Sequence, residues 1–351
     1  MDDDLFTSSG IWLRGNLHCH STNSDGRLTP EEVVEYYSHC GYDFISLTDH
    51  EKITRANSKS LLLIPGTEIV AGRATLGDSY HVMALNVEDN ETIQKRKLES
   101  VDSILEYVAD VDGFSFIAHP YWSSLTTSDL SNLQNCLGIE VYNTGCDVLV
   151  ARGFSSVHWD NLLAQGKRFH GLAVDDAHWY PVDSAGGWIW VKAKERSVQG
   201  IVDAIKEGRF YSTMGPSIDC LCYSDGRFEA RFSPASRVDV VSEDGLGFSA
   251  SFDTYEKMKS MKNDLISVAV NENEEGGEEI TVELGTRKAF LTMKDRKITH
   301  VAMDGASFKE YLRLEITDSN GKKAWGNALF LQNASAACAE LFSEPKGDNG
   351  Q

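Results

Sequence analysis

The chain is predicted to be an α/β protein, a distorted (β/α)7 barrel followed by a small antiparallel β-sandwich-like domain. Two observations predict this. Up to about residue 214, short apolar runs alternate with amphipathic stretches, and the apolar runs close on histidine, aspartate, glutamate or asparagine. After Met214-Gly215-Pro216 the texture changes to short alternating runs separated by turn clusters. At 351 residues and 41% hydrophobic content, the chain has enough apolar material for one large core and one small one.

In the first part, residues 12–17 form an apolar strand leading into His18. Thr29 then reads as the N-cap of a helix, with Pro30 at its first position and Glu32 completing a capping box. Residues 43–48 are a strand ending at Asp49-His50, and 61–66 another ending near Glu68. Segment 91–110 reads as helical, and 113–118 as a strand running into His119. Residues 138–142 are a strand ending at Asn143. A helix over 155–166 precedes a strand from Phe169 into Asp175-Asp176, and a last helix spans 197–208 before Arg209. About seven β/α units result, each with a polar residue at a strand end, which places the site on one face. An open doubly wound sheet has the same alternation. Convergence of ligands from six or more strand ends favours closure.

In the second part, alternating runs at 228–232, 238–241, 265–270, 288–293 and 311–317 are read as strands. Residues 271–279, rich in Glu, Asn and Gly, are expected to form an exposed loop. The domains are thus expected at 1–214 and 215–335, with 336–351 a disordered tail.

The net charge of −20 argues against a duplex nucleic-acid surface, which needs clustered Lys and Arg. A small anionic substrate stays compatible with it if bound cations reverse the field locally. No run of eighteen apolar residues exists and the first residues lack a basic-then-apolar signal, so neither a membrane span nor secretion is expected. Seven irregularly spaced cysteines point to reduced thiols and a cytoplasmic location. The composition leaves the oligomeric state open.

Six histidines carry the chemistry: His18 and His20 in an HxH, His50 after Asp49, His81, His119 before Pro120, and His178 in Asp176-x-His178. Imidazole and carboxylate are the ligands of borderline divalent metals at hydrolytic sites. In an extended segment, alternate side chains point the same way, so both imidazoles of His18-x-His20 reach one ion. Each position has a plain alternative. Asp49 and Asp175 could cap a helix or turn, Glu68 could be a solvated loop carboxylate, and His81 a satisfied core histidine. All of the alternatives holding at once, each at a strand end, is the less economical account.

The order His18-x-His20, Asp25-Gly26, Thr48-Asp49-His50, Gly66-Thr67-Glu68, His81, His119-Pro120 and Asp176-x-His178 resembles the PHP (polymerase and histidinol phosphatase) superfamily over residues 11–214. The segments 12–20, 186–191, 208–216, 311–318 and 324–327 resemble its CehA/McbA-like subgroup, which joins such a barrel to a C-terminal β-domain and is named for carbamate hydrolases. Most relatives in the superfamily are phosphoesterases. The resemblance implies two or three divalent ions (Zn, Mn or Fe). His18, His20, Glu68 and Asp176 would hold the first, and a bridging Glu68 with His81 and His119 the second. Asp25, His50 and His178 would hold the third, Asp25 standing where many relatives have histidine. That departure hardens the third site towards oxygen-preferring ions. Asn143 matches a position near the metals, while Asp49 and Asp175 could accept imidazole N–H bonds.

The function this implies is hydrolysis of a small, anionic ester. Ions about 3.5–4 Å apart would generate hydroxide for attack, with Glu68, Asp176 and His178 carrying catalysis through it. A phosphomonoester or phosphodiester is the first substrate class, and a carbamate or carboxylic ester the second. A barrel that has lost catalysis and only binds is the third reading, and the complete ligand set counts against it. Arg209, and after it Arg14 and Lys52, are the candidates to hold a phosphate.

Overall fold

The computed structural model describes residues 5–331, apart from 7, 225, 262–265, 274–275, 286, 305–307 and 309. The expected tail at 336–351 lies outside the described residues. Two compact units emerge, Gly10–Gly215 and a second beginning at Pro216; residues before Gly10 group with the second unit rather than with the first.

The first unit opens with β1 (Ile11–Asn16) and α1 (Pro30–His39). Thr29 caps α1 through the reciprocal box with Glu32, and Val33, Val34 and Tyr37 form its buried face. Next come β2 (Phe44–Ile45), β3 (Leu62–Leu63), β4 (Gly66–Ala71) and β5 (Tyr80–Leu85). The expected single helix over 91–110 is instead two, α2 (Asn90–Lys97) and α3 (Val101–Asp110), because Ser100 caps a new start. The chain continues through β6 (Phe114–Ile117), α4 (Thr127–Ser131), β7 (Gly138–Asn143), α5 (Thr144–Val150) and α6 (Ser156–Ala164). It closes with β8 (His170–Val174), β9 (Trp188–Ala193), α7 (Val198–Lys206) and β10 (Phe210–Thr213).

Within this unit the strands run β10-β9-β1-β2-β3 in one sheet and β4-β5-β6-β7-β8 in another. Strict β/α alternation fails, since no helix separates β2, β3, β4 and β5 or divides β8 from β9. β4 and β5 are antiparallel neighbours joined by the loop 72–79, and β9 lies antiparallel to both β1 and β10. The two sheets share one core: Leu13, Phe44, Ile189 and Phe210 from one meet Met83, Phe116 and Leu172 from the other. Each such side chain, fully removed from water, contributes about 1.5–3 kcal/mol. At one margin His50 bridges to Glu68 in parallel register. At the other, the Ser212 hydroxyl donates to Gly171 O (2.7 Å) and accepts from Ala173 N–H (3.0 Å).

The second unit contains β11 (Ile218–Ser224), β12 (Arg227–Ala235), β13 (Arg237–Val241), β14 (Gly247–Ser251) and α8 (Phe252–Ser260). There follow β15 (Ile266–Glu272), β16 (Glu278–Leu284), β17 (Arg287–Lys294), β18 (Lys297–Asp304), β19 (Tyr311–Thr317), β20 (Lys323–Trp325) and β21 (Leu329–Phe330). An antiparallel sheet runs β11-β12-β18-β17-β16-β15, and β14, β13, β19 and β20 pair in that order, with β21 on β19. Alternation buries Ile280 and Val282 on β16 and Ala289, Leu291 and Met293 on β17. The loop expected at 271–279 is shorter than that. Asn271 pairs with Glu279 and Glu272 with Glu278, because a hairpin end needs backbone pairing and no apolar side chain. No described helix is long and apolar enough to cross a membrane.

Candidate metal centre

The ligand-type residues reach one place by two routes. His18 and His20 follow β1, His50 follows the β2 segment, His119 follows β6, and Asp176 and His178 follow β8, each beyond a strand's C-terminal end. Glu68 and His81 differ from the expectation of strand ends, since Glu68 lies inside β4 and His81 is the second residue of β5. The antiparallel pair explains this. Val70 sits opposite His81, so β5 presents its start at the rim where parallel strands present their ends.

Three groups of potential ligand atoms form: His18, His20, Glu68 and Asp176; Glu68, His81 and His119; and Asp25, His50 and His178 with His20 beside them. In the first, His18 Nε2 lies 3.1 Å from His20 Nε2, from Glu68 Oε2 and from Asp176 Oδ1. His20 Nε2 lies 3.2 Å from the same Glu68 oxygen and 3.1 Å from the same Asp176 oxygen. Four donors at about 2.0–2.1 Å from a tetrahedral ion stand roughly 3.3 Å apart. Five of the six edges are therefore close to that size, and the donor set suits a divalent ion.

Glu68 turns its other oxygen to the second group, with Oε1 2.6 Å from His81 Nδ1 and 3.4 Å from His119 Nε2. In the third group Asp25 approaches His178 Nε2 at 3.4 Å and His50 Nε2 at 3.6 Å. Exposure rises across the set. His18 and His20 are fully buried, whereas the Asp25 side chain is 55% exposed, so the third group forms the mouth. His50 Nδ1 is buried 3.3 Å from Glu68 Oε2 but out of hydrogen-bonding geometry with any described residue, as a nitrogen aimed at a shared ligand rather than at the carboxylate would be.

The imidazoles are held from behind. His18 Nδ1 is 2.7 Å from Glu140 Oε1, His119 Nδ1 is 3.0 Å from Ser123 Oγ, and His178 Nδ1 is 2.9 Å from the Asp176 carbonyl. Each contact fixes ring orientation and sends the other nitrogen into the cluster. Glu140 is the residue that sequence reasoning missed. It is buried in the middle of β7, and its second oxygen accepts from the His119 backbone N–H (2.7 Å) and Asn143 Nδ2 (2.8 Å). A lone glutamate inside an otherwise apolar strand was the available signal. His119 and Asp176 also carry positive φ, +28° and +57°, which is backbone strain of the kind concentrated at functional sites.

Electrostatics agree with a cation-seeking centre. Burial alone would raise the pKa of Glu68 and Asp176, but His18 and neighbouring imidazoles outweigh it and hold both well below the carboxylate range. Burial would likewise lower His20, yet Asp176 and Glu68 hold it at about 9. No lysine or arginine pairs with Glu68, Asp176 or Glu140 among the described residues.

The remaining sequence candidates divide. Asn143 is at the centre, its Nδ2 donating to Glu140 and to Asp176 Oδ2 (3.1 Å). Asp49 does not touch an imidazole; it accepts from Ser21 N–H and Oγ, Ser24 Oγ and Thr54 Oγ1, and so shapes the loop carrying Asp25. Asp175 is also structural, accepting from Tyr37, Thr144 and the backbone N–H groups of Ala185, Gly186 and Gly187. Arg209 is not brought to the centre. It precedes β10 beside Lys192, which pairs with Trp12 near the start of β1, while His18 lies beyond the other end of β1. Arg14 is sandwiched between the Tyr42 and Trp188 rings. Lys52 is exposed and donates to the Asn23 carbonyl (3.1 Å), in the loop that carries Asp25.

No family model matches the chain. A 5'-3' exoribonuclease of Haemophilus influenzae is 32% identical over 98 residues, 26% of this chain and 35% of that protein, so the chain spans about a third of its relative's length. Among solved structures, a two-domain protein from Bacteroides vulgatus containing a predicted PHP-like metal-dependent phosphoesterase is similar with TM-score 0.47 and 17% identity, over 88% of this chain and 91% of that one. An amidohydrolase from Chromobacterium violaceum, with bound sulfate and no metal, is similar with TM-score 0.38 and 14% identity, over 56% and 96%.

Proposed function

We propose that the first unit is a PHP-type metal-dependent hydrolase acting on a small phosphoester, with two or three divalent ions at the centre. The observation that carries the reading is the near-tetrahedral set of His18, His20, Glu68 and Asp176 sharing Glu68 with a second group. When bound, such ions supply Lewis-acid polarisation of the ester and lower the pKa of water towards neutrality. Glu68 would serve two ions through its two oxygens, and Asp25, His50 and His178 would hold the outermost. Glu140, Ser123 and Asn143 orient the donors, so that little reorganisation is needed when the ions bind. The relative named as an exoribonuclease supports a phosphoester, because such an enzyme cleaves phosphodiesters. A carbamate or carboxylic ester is the second reading, favoured by apolar side chains that flank His81.

Elemental analysis after chelator-free purification tests the centre, and more than about one equivalent of Zn, Mn or Fe per chain is expected. A panel of chromogenic phosphate, carboxylate and carbamate esters with Mn or Zn then separates the substrate classes. Phosphate esters are expected to turn over fastest, and turnover confined to carbamates would replace the first reading with the second. Less than about half an equivalent of metal, with no activation on adding it, would remove both.

A further inference from the structure

A cavity of about 480 Å³ opens against the second ligand group, with His81 in its wall beside Trp122, Val70, Val150, Arg152 and Asp78. That volume is within the range of small-molecule sites. Trp122 is 43% exposed, yet its ring stands edge-on to both His81 and His119, with centroids 5.7 Å and 5.0 Å apart. It is set there by the turn after His119, which is pinned through the Ser123 hydroxyl on His119 Nδ1. Val150 ends α5 with its side chain 52% exposed, so this wall offers apolar surface to an occupant rather than to the core.

Arg152 supplies the polar end. It follows Ala151, whose φ of +59° turns the chain at the C-terminus of α5, and its backbone N–H donates to Cys146 O (2.9 Å). Its guanidinium lies 5.4 Å from the Tyr121 ring centroid and 3.4 Å from Ser124 Oγ, and makes no ion pair with a described residue. The Arg152 charge is therefore not neutralised by an ion pair among the described residues and remains available to an anionic group in the cavity that it lines. Asp78, across the same lining, limits where a second negative charge can sit.

We propose that this cavity is the leaving-group subsite of the hydrolase, and that it selects esters whose leaving group is a flat aromatic ring bearing an acidic substituent. The ring packs on Trp122 between Val70 and Val150, and the acid meets Arg152. The inference rests on the phosphoester reading above, so its test uses binding of non-hydrolysable ligands rather than turnover.

Calorimetric titration of the full chain, in saturating Mn, compares methylphosphonate, phenylphosphonate and 4-carboxyphenylphosphonate, with benzoate as a phosphorus-free probe. Phenylphosphonate is expected to bind at least about tenfold tighter than methylphosphonate, the scale of one well-placed aromatic contact with its buried area. The carboxyl group adds about three- to tenfold more. Trp122→Ala should shrink the phenyl-to-methyl ratio to about two or less, Trp122→Phe should retain most of it, and Arg152→Gln should remove the carboxyl increment. A phenyl-to-methyl ratio near one, or one unchanged by Trp122→Ala, overturns the aromatic subsite; a carboxyl increment that survives Arg152→Gln overturns the acidic preference. If no phosphonate binds but benzoate does, and Trp122→Ala weakens it, the subsite stands and the phosphoester reading falls. Binding of none of the four overturns both.

Discussion

The carboxylates at the centre of the first unit and those paired within the second unit are held in opposite ways. In the second unit, Glu315 accepts from Arg313 (3.0 Å), Lys323 (2.6 Å) and Trp325 Nε1 (3.1 Å), and Glu229 accepts from Arg227 (3.1 Å) and His300 (2.8 Å). Permanent cations neutralise these acids, and the arrangement is complete as it stands. In the first unit, the chargeable partners of Glu68 and Asp176 among the described residues are imidazoles, which carry charge conditionally, and Asn143 Nδ2 adds only a neutral donor to Asp176. An acid surrounded by groups that can be neutral is costly to bury unless a cation arrives. The contrast separates a carboxylate that completes a fold from one that awaits a ligand.

Three substitutions probe that contrast. The largest effect is expected from Glu68→Gln. Removing the negative charge that two ligand groups share should strip metal from both and lower hydrolysis by at least about a hundredfold, while circular dichroism keeps the wild-type form. Elemental analysis alongside rates checks it, and wild-type metal content would show that Glu68 is no more than a buried structural acid. Glu140→Gln is expected to fall lower on the same scale. It keeps the shape but weakens the hold on His18 Nδ1, so metal affinity should drop by about ten- to a hundredfold, read by competition with a chromogenic chelator.

The smallest effect belongs to Glu315→Gln, which should cost about 1.5–3 kcal/mol in urea unfolding with no change in metal content. Its pH dependence has a definite sign. Burial alone would raise the Glu315 pKa, but Arg313 and Lys323 outweigh it and hold the carboxyl below its ordinary value. Its contribution is therefore present above the unfolded-chain value of about 4.3 and is lost as pH falls through the lower folded value. Thermal melts between pH 7 and pH 3 should show the wild type losing more stability than Glu315→Gln, and parallel curves would mean that the pair is not stabilising.

Much of the centre was legible because a polar side chain closing an apolar strand stands out against its neighbours. His18, His50, His119 and Asp176 all have that context. Glu140 escaped because its importance depends on facing His18, 122 residues away, and nothing within β7 announces that meeting. Arg209 misled for the converse reason: a basic residue at a strand start says nothing about which end of the sheet it occupies, and the antiparallel β9–β10 pair puts it at the wrong one. Asp49 and Asp175, adjacent to ligands in sequence, turn away from them because successive residues of an extended chain face opposite sides.

The sequence by itself determined which donors this chain can offer, since ligand chemistry resides in individual side chains and their spacing along a strand. It determined the change of texture near residue 214 for the same reason, periodicity being a local property. Only the tertiary structure decided the distances. His20 and Asp176 are 156 residues apart in the chain and 3.1 Å apart in the fold. That approach depends on how two sheets pack over a shared core, and no local run of residues carries such information.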